Sequence, residues 1–289
     1  MALPSPIAGL AELSPSYDAL LCDIWGVIHN GETAFESACA ALIRFRDERG
    51  PVVLISNSPR PRAGVVAQLR SLKVPDEAWD AVVTSGDVTR TEIAARAPGP
   101  AWAVGPARDA PLYEGLGVHF VETPEEAAFV SCTGPFDDDV ETPEDFRARF
   151  EVCVARGLHM ICANPDRVVQ RGDKLIYCGG ALADLYAEMG GGVTMAGKPY
   201  APIYEVAADE IAILLERPAD RTRILAIGDG ARTDVAGANA QGLDCLFVAS
   251  GIHALEAFGA DGKLDADGLA AILAQEGAHA RYAAAALRW

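Results

Sequence analysis

Apolar and polar positions along the chain fall into blocks of two kinds. Short continuous apolar runs, such as Ala19-Leu20-Leu21-Cys22 and Val52-Val53-Leu54-Ile55, predict strands of a parallel sheet. A strand covered on both faces has no polar side to alternate with. Between these runs lie stretches with apolar residues at i, i+3, i+4 and i+7. Over 36–49, Ala38, Ala41, Leu42 and Phe45 share one helical face, and Gly50 ends it. A second helix is predicted over 62–72, and a third strand over 81–84. Strand, helix, strand, helix reads as βαβ units feeding one parallel sheet. Residues 1–18, with Pro4, Pro6 and Pro15, read as an irregular lead-in.

From residue 87 the alternation restarts. Strands are predicted at 102–104, 118–121, 128–132, 158–162 and 175–177, and helices near 88–97, 143–156 and 180–189. Thr123-Pro124-Glu125-Glu126 and Thr142-Pro143-Glu144-Asp145 read as helix starts, each with a Thr cap, a proline and first-turn acids. On that reading the acidic run Asp137-Asp138-Asp139 is helix-start chemistry rather than a metal site. Gly190-Gly191-Gly192 marks a break. A helix carrying Tyr204, Ala207, Ala208, Ile211, Leu214 and Leu215 follows, then strands at 224–227 and 243–248, a helix at 268–274 and an Ala-rich tail. The restart and the return predict an α/β protein in two parts. Residues 1–85 and 195–289 form the core domain, and 86–194 an inserted α/β cap domain.

Composition narrows the partners. The 289 residues include 24 basic and 41 acidic ones, a net charge of −17, which argues against nucleic acid and anionic membranes as partners. An anionic substrate is still allowed, because a cation, a lysine and helix N-termini can make one pocket locally positive. No apolar run approaches the ~20 residues of a membrane span, and Met1–Pro6 shows no basic stretch before an apolar one, so no signal peptide is expected. The seven cysteines are odd in number and include no C-x-x-C pair. They point to buried thiols in a reducing, cytoplasmic setting. The oligomeric state, homo-oligomer included, is left open.

Four segments carry candidate chemistry. Asp23 ends the first strand, where open α/β sheets bind ligands, although such an Asp can simply cap a turn. Ser56-Asn57-Ser58 ends the second strand. It reads either as a phosphate-holding turn beside a helix N-terminus or as an ordinary polar turn. Lys198 stands between Gly197 and Pro199, which fix the backbone around it. Gly228-Asp229 follows a late strand, and Asp234 comes five residues after Asp229. Two such acids suit a hard cation, though Asp-Gly is also a common turn. Asn164-Pro165-Asp166 follows an apolar strand and is either a turn or a loop aimed at a ligand.

Taken in order, Asp, Ser, Lys and Asp-x4-Asp resemble the haloacid dehalogenase superfamily. The long insertion before Lys198 resembles its class IIA branch of sugar-phosphate, nucleotide and nitrophenyl phosphatases. The resemblance implies a Rossmann-like, doubly wound parallel core with an α/β cap. It implies a Mg2+-dependent phosphatase that acts on a small phosphorylated metabolite such as a sugar phosphate. Asp23 would be the nucleophile that becomes an aspartyl-phosphate, Ser56 the phosphate-binding hydroxyl, and Lys198 the pairing cation. Mg2+ would be held by Asp23, the Trp25 carbonyl and Asp229, with Asp234 as a further ligand or a supporting partner. Gly26, Asn57, Asn164 and Asp166 would contact substrate.

One position departs from the pattern. Phosphatases of this superfamily carry a second Asp two residues after the nucleophile, and here Trp25 stands there. An indole is a donor only and does no acid–base work. General acid–base catalysis is worth typically ~10²–10⁴-fold, so such an enzyme is expected to be slow on poor leaving groups. His29, in the adjoining loop, is either a substitute or a loop residue without a role. Two other readings accompany the phosphatase. One is a non-catalytic phosphometabolite-binding protein. The other is a metal-independent dehalogenase, which also lacks the second Asp.

Overall fold

The computed structural model describes residues 3–171 and 173–289. Its strands run β1 (Ser5–Pro6), β2 (Ala19–Asp23), β3 (Val52–Ser56), β4 (Ala81–Thr84), β5 (Ala101–Val104), β6 (Phe120–Val121), β7 (Phe129–Cys132) and β8 (His159–Cys162). They continue as β9 (Val168–Arg171), β10 (Lys174–Tyr177), β11 (Gly192–Met195), β12 (Ile224–Gly228), β13 (Asp244–Val248) and β14 (Tyr282–Ala284).

Seven strands form one sheet in the order β1-β14-β13-β12-β2-β3-β4, with every pairing parallel. β2 lies inside it, and all five of its residues are buried. Along each strand, alternate side chains serve opposite layers. Leu20, Cys22, Leu54 and Ile227 pack with Ala41, Leu42 and Phe45 of the helix Glu36–Glu48. Leu21, Val53, Ile55 and Ala226 pack with Ile203, Ala207 and Ile211 of the helix Ala201–Leu215. Helices on both faces explain why these strands are apolar throughout rather than alternating.

From β2 the chain winds outward through β3 and β4, and on the other side from β12 through β13 and β14. The strand order therefore reverses between β2 and β12. Such a switch point opens a crevice beyond the carboxyl ends of its two strands. Register brings those ends level, because Ile227 pairs with Cys22 and Asp23 pairs with Ile55. Asp23 and Asp229 thus emerge side by side.

A second parallel sheet, in the order β11-β8-β7-β5-β6, is covered on one side by the helices Arg147–Ala155 and Gly179–Glu188. Ile93 of the helix Ser85–Ala94 and Leu112 cover its other side. An antiparallel hairpin, β9–β10, hangs between β8 and the helix Gly179–Glu188.

Several sequence expectations change here. The lead-in and the Ala-rich tail are not wholly irregular, since β1 and β14 pair at the edge of the large sheet. β9 was not expected. The Thr142 start forms a reciprocal capping box with Asp145, whereas Thr123-Pro124 makes only a turn. The run 137–139 precedes that helix start, and its Asp138 is held by Arg108 and Arg171 instead. β11 continues in the smaller sheet to Met195, which pairs with Cys162. All seven cysteines are buried and unpaired. Among the described residues, no helix is long and apolar enough to cross a membrane.

Candidate active site

The crevice at the switch point is a cavity of about 260 Å³ lined by Asp23, Ser56, Lys198, Asp229 and Asp234 among others. Lys198 comes in on the segment after β11. Its ammonium nitrogen lies 2.5 Å from Asp23 Oδ1 and 2.6 Å from Asp234 Oδ1. Burial alone would depress this lysine, but Asp23 and Asp234 outweigh it and hold the ammonium charged, with its pKa raised. The backbone of Lys198 is clamped as well. Its N–H donates to Asn57 Oδ1 at 2.7 Å, and its carbonyl accepts from Asn57 Nδ2 at 3.0 Å. Asn57 Nδ2 also donates to Asp166 Oδ1 at 2.8 Å. The amide expected to contact substrate is therefore occupied in bracing Lys198 and Asp166.

Carboxyl oxygens of Asp23, Asp229 and Asp234 lie within 4.8 Å of one another, all buried. Burial and the neighbouring Asp234 push Asp229 up to about 7, and Asp23 is raised for the same two reasons, against the pull of Lys198. One lysine does not balance three carboxylates. A set of hard oxygen donors with surplus negative charge is what a divalent cation such as Mg2+ takes. The two late acids are not equivalent. Asp234 uses one oxygen on Lys198 and the other on the Gly230 N–H at 3.0 Å. Asp229 accepts from Ile252 N at 2.8 Å through Oδ2, leaving Oδ1 for a ligand.

Gly26 explains part of this placement. It lies at φ +86°, and a Cβ there would come 2.0 Å from Asp229 Oδ2. A Cβ at Gly251 would come 1.9 Å from the same atom. Two glycines let the backbone close around Asp229, so Gly26 shapes the carboxylate's seat.

Trp25 lines this cavity from the other side, and its indole N–H donates to the Gln170 carbonyl of β9. Its ring meets His29 edge-on, 5.1 Å between centroids, and packs on Gly31. His29 is buried, and its Nδ1 accepts from the Gly31 N–H at 3.0 Å. Burial lowers it to about 4, so the ring is neutral near pH 7. It lines the larger, adjoining cavity rather than the one that holds Asp23.

A second cavity, of about 360 Å³, adjoins the first beneath the smaller sheet, lined by Arg60, Arg108, Asp109, Thr133, Asn164 and Arg171 among others. Asn164 accepts from the Asp166 N–H at 3.2 Å, which fixes the loop that carries Asp166. None of the arginines was singled out in the sequence. Arg60 sits in a bend, Arg108 in a short 3-10 helix and Arg171 in the hairpin, and their partners depend on how the two sheets face each other. The hairpin had a legible signal in Arg167-Val168-Val169-Gln170-Arg171, followed by Gly-Asp before a second β-rich run.

A doubly wound core, a carboxylate-rich crevice at its switch point and an inserted second sheet are the plan of a haloacid dehalogenase-type hydrolase. The chain belongs to that family. Residues 20–119 match the family model described as haloacid dehalogenase-like hydrolase, and residues 195–272 match one described as HAD-hydrolase-like. A crystal structure of a haloacid dehalogenase-like hydrolase from Brucella suis 1330 is 46% identical, with a TM-score of 0.86, covering 99% of this chain and 100% of that one. The fold is shared with p-nitrophenyl phosphatase from Archaeoglobus fulgidus at 22% identity and TM-score 0.63, over 92% and 95% of the two chains. It is shared too with a possible sugar phosphatase from Cytophaga hutchinsonii at 17% identity and TM-score 0.75, over 98% of each chain. Among curated proteins, none matches the sequence.

Proposed function

We propose that this hydrolase is a Mg2+-dependent phosphomonoesterase that works through an aspartyl-phosphate on Asp23. The observation that carries the reading is Lys198, whose buried ammonium bridges Asp23 and Asp234 beside Asp229. A phosphoryl transition state spreads charge over its equatorial oxygens, so catalysis is chiefly positioning and cationic stabilisation. Asp23 attacks phosphorus. Lys198 orients that carboxylate and pairs with the transferring oxygens, and Ser56 supplies a hydroxyl at the end of β3. Asp23, the Trp25 carbonyl and Asp229 would hold Mg2+, which when bound adds positive charge beside the phosphoryl group. Asp234 keeps Lys198 and Gly230 in place.

The substrate class is a small phosphorylated metabolite, a sugar phosphate or similar ester. The phosphoryl group sits in the smaller cavity and its leaving group in the larger one. The division into a core of 1–85 and 195–289 and a cap of 86–194 belongs to the same reading, as does a cytoplasmic setting. Residue 25 supplies no acid, so the proton for the leaving oxygen must come from elsewhere or be missing.

The test is hydrolysis of p-nitrophenyl phosphate with Mg2+ and with EDTA. Turnover is expected only with the metal, and Asp23→Asn should lower it at least 10³-fold, of the order lost when a nucleophile is removed, with the thermal midpoint preserved. Activity retained in Asp23→Asn would mean another nucleophile. Halide release without metal would select a dehalogenase.

A further inference from the structure

If the phosphoryl group occupies the smaller cavity and the leaving group the larger one, the oxygen between them lies where the cavities meet. Four residues line both: Trp25, Ser56, Asp166 and Val169. Val169 has no proton to move. The indole N–H of Trp25 is already given to Gln170. A serine hydroxyl is far too weak an acid at neutral pH, and Ser56 is turned toward Ser58 N, from which it accepts at 3.2 Å. Asp166 is the one carboxyl at the junction. We propose that Asp166, carried in by the inserted domain, is the general acid and base of the reaction and stands in for the carboxylate absent at residue 25.

Its surroundings suit the role. Asp166 Oδ1 is fixed by Asn57 Nδ2, which also braces Lys198, so the acid and the nucleophile's cation share one amide. Among the described residues, Asp166 Oδ2 takes no hydrogen bond and is available to the reacting oxygen. The charged and titratable groups that face Asp166 are Lys198, Asp229 and Asp234 from the large-sheet side and Cys178 from its own side. Burial keeps the carboxyl above its ordinary range, against Lys198 and the Asn57 hydrogen bond. That favours the protonated form which the first step requires.

The chemistry balances. In the first step an Asp23 oxygen bonds to phosphorus and the bond from phosphorus to the leaving oxygen breaks. The proton of Asp166 passes to that oxygen, releasing the alcohol and leaving Asp166 ionised. In the second step water takes the vacated position and attacks phosphorus. Its proton returns to Asp166, the bond from phosphorus to Asp23 breaks, and inorganic phosphate forms.

This inference rests on the phosphomonoesterase reading, and the experiment separates the two. Rates are measured for p-nitrophenyl phosphate, whose leaving group departs without a proton, and for an alkyl ester, glucitol 6-phosphate, across pH. Asp166→Asn keeps the oxygen that Asn57 needs. It should lower the rate of the first, phosphoryl-transfer step on glucitol 6-phosphate by ~10²–10⁴-fold and on p-nitrophenyl phosphate far less. Breakdown of the aspartyl-phosphate, common to both esters, should slow for each and show as a burst of p-nitrophenol. Wild-type turnover of the alkyl ester should fall at high pH as Asp166 loses its proton, and that limb should be absent in Asp166→Asn. Asp166→Glu should restore part of the alkyl rate. Equal losses in the first step on both esters, with no burst and an unchanged pH profile, would reduce Asp166 to a brace for Asn57. A wild type that already lags on the alkyl ester and shows a burst of covalent intermediate would overturn the proposal and leave the site without an acid. Absence of p-nitrophenyl phosphate turnover with Mg2+ would instead refute the phosphomonoesterase, and this role with it.

Discussion

At the scale of single residues, His29 shows how burial fixes a protonation state. Its ring is buried and held at about 4 by desolvation. An unfolded chain returns it to about 6.5. Below that value the unfolded state takes up a proton which the folded state refuses. Stability is therefore lost as pH falls from about 6.5 to about 4, and this loss is complete below the folded value. The difference corresponds to about 3 kcal/mol. His29→Gln keeps an acceptor for the Gly31 N–H and carries no proton to refuse. Denaturant unfolding of both proteins between pH 7 and 4 should show wild type losing about that much more than the variant. Parallel curves would mean that His29 is protonated in the fold. The sequence offered His29 as an acid because it lies near Asp23 in the chain. What the sequence did not carry is the Gly31 N–H and the Trp25 ring closing over it.

Elements differ in how much of them the sequence displays, and stability follows the same division. β2, β3 and β12 read clearly as apolar runs because helices cover both faces. Leu54, wholly buried in β3, should cost about 2–5 kcal/mol when cut to Ala, with no change in the slope of the unfolding curve. Leu175 in the hairpin strand β10 is 63% exposed, and Leu175→Ala should stay within about 0.5 kcal/mol of wild type. A cost above 1 kcal/mol at Leu175 would mean that the hairpin is part of a packed layer. The edge strands β1 and β14 have two and three residues, too few for any period to show. Thr142 and Thr123 carry the same Thr-Pro-acid signature, yet only Thr142 starts a helix. After Thr142 a helical face of Phe146, Phe150 and Cys153 awaits burial, whereas Thr123 runs within a few residues into the buried strand β7. A cap signal selects a helix only where the following residues can pack one.

For the whole molecule, the residues legible in the sequence are those that end strands of the large sheet. Asp23, Ser56 and Asp229 each follow an apolar run, and parallel topology delivers all such ends to one edge. What the smaller sheet brings to the site was only partly legible, because it depends on which turn of one sheet meets the other. Polar contacts make that meeting, among them Asn57 with Asp166, Arg60 with Asp109 at 3.6 Å, Trp25 with Gln170, and Arg232 with both carboxylate oxygens of Asp184 at 3.0 and 3.1 Å. Hydrogen bonds contribute about 0.5–1.5 kcal/mol each, so a few of them hold the two parts together firmly but reversibly. Trp25 has a consequence beyond mechanics. The chain has four tryptophans. Trp102 is buried in the smaller sheet, Trp79 packs against the large-sheet core, and Trp289 lies under Arg44, while Trp25 alone hydrogen-bonds across the contact. Indole emission shifts with the polarity around the ring, so the protein carries an optical reporter at its own seam. Addition of Mg2+ and inorganic phosphate should shift the emission of wild type and of Trp102→Phe alike, and leave that of Trp25→Phe unmoved. A shift that survives in Trp25→Phe would place the responding fluorophore elsewhere. Read in a stopped-flow instrument, the same signal would time the arrival of metal and phosphate beside Trp25, with no label attached.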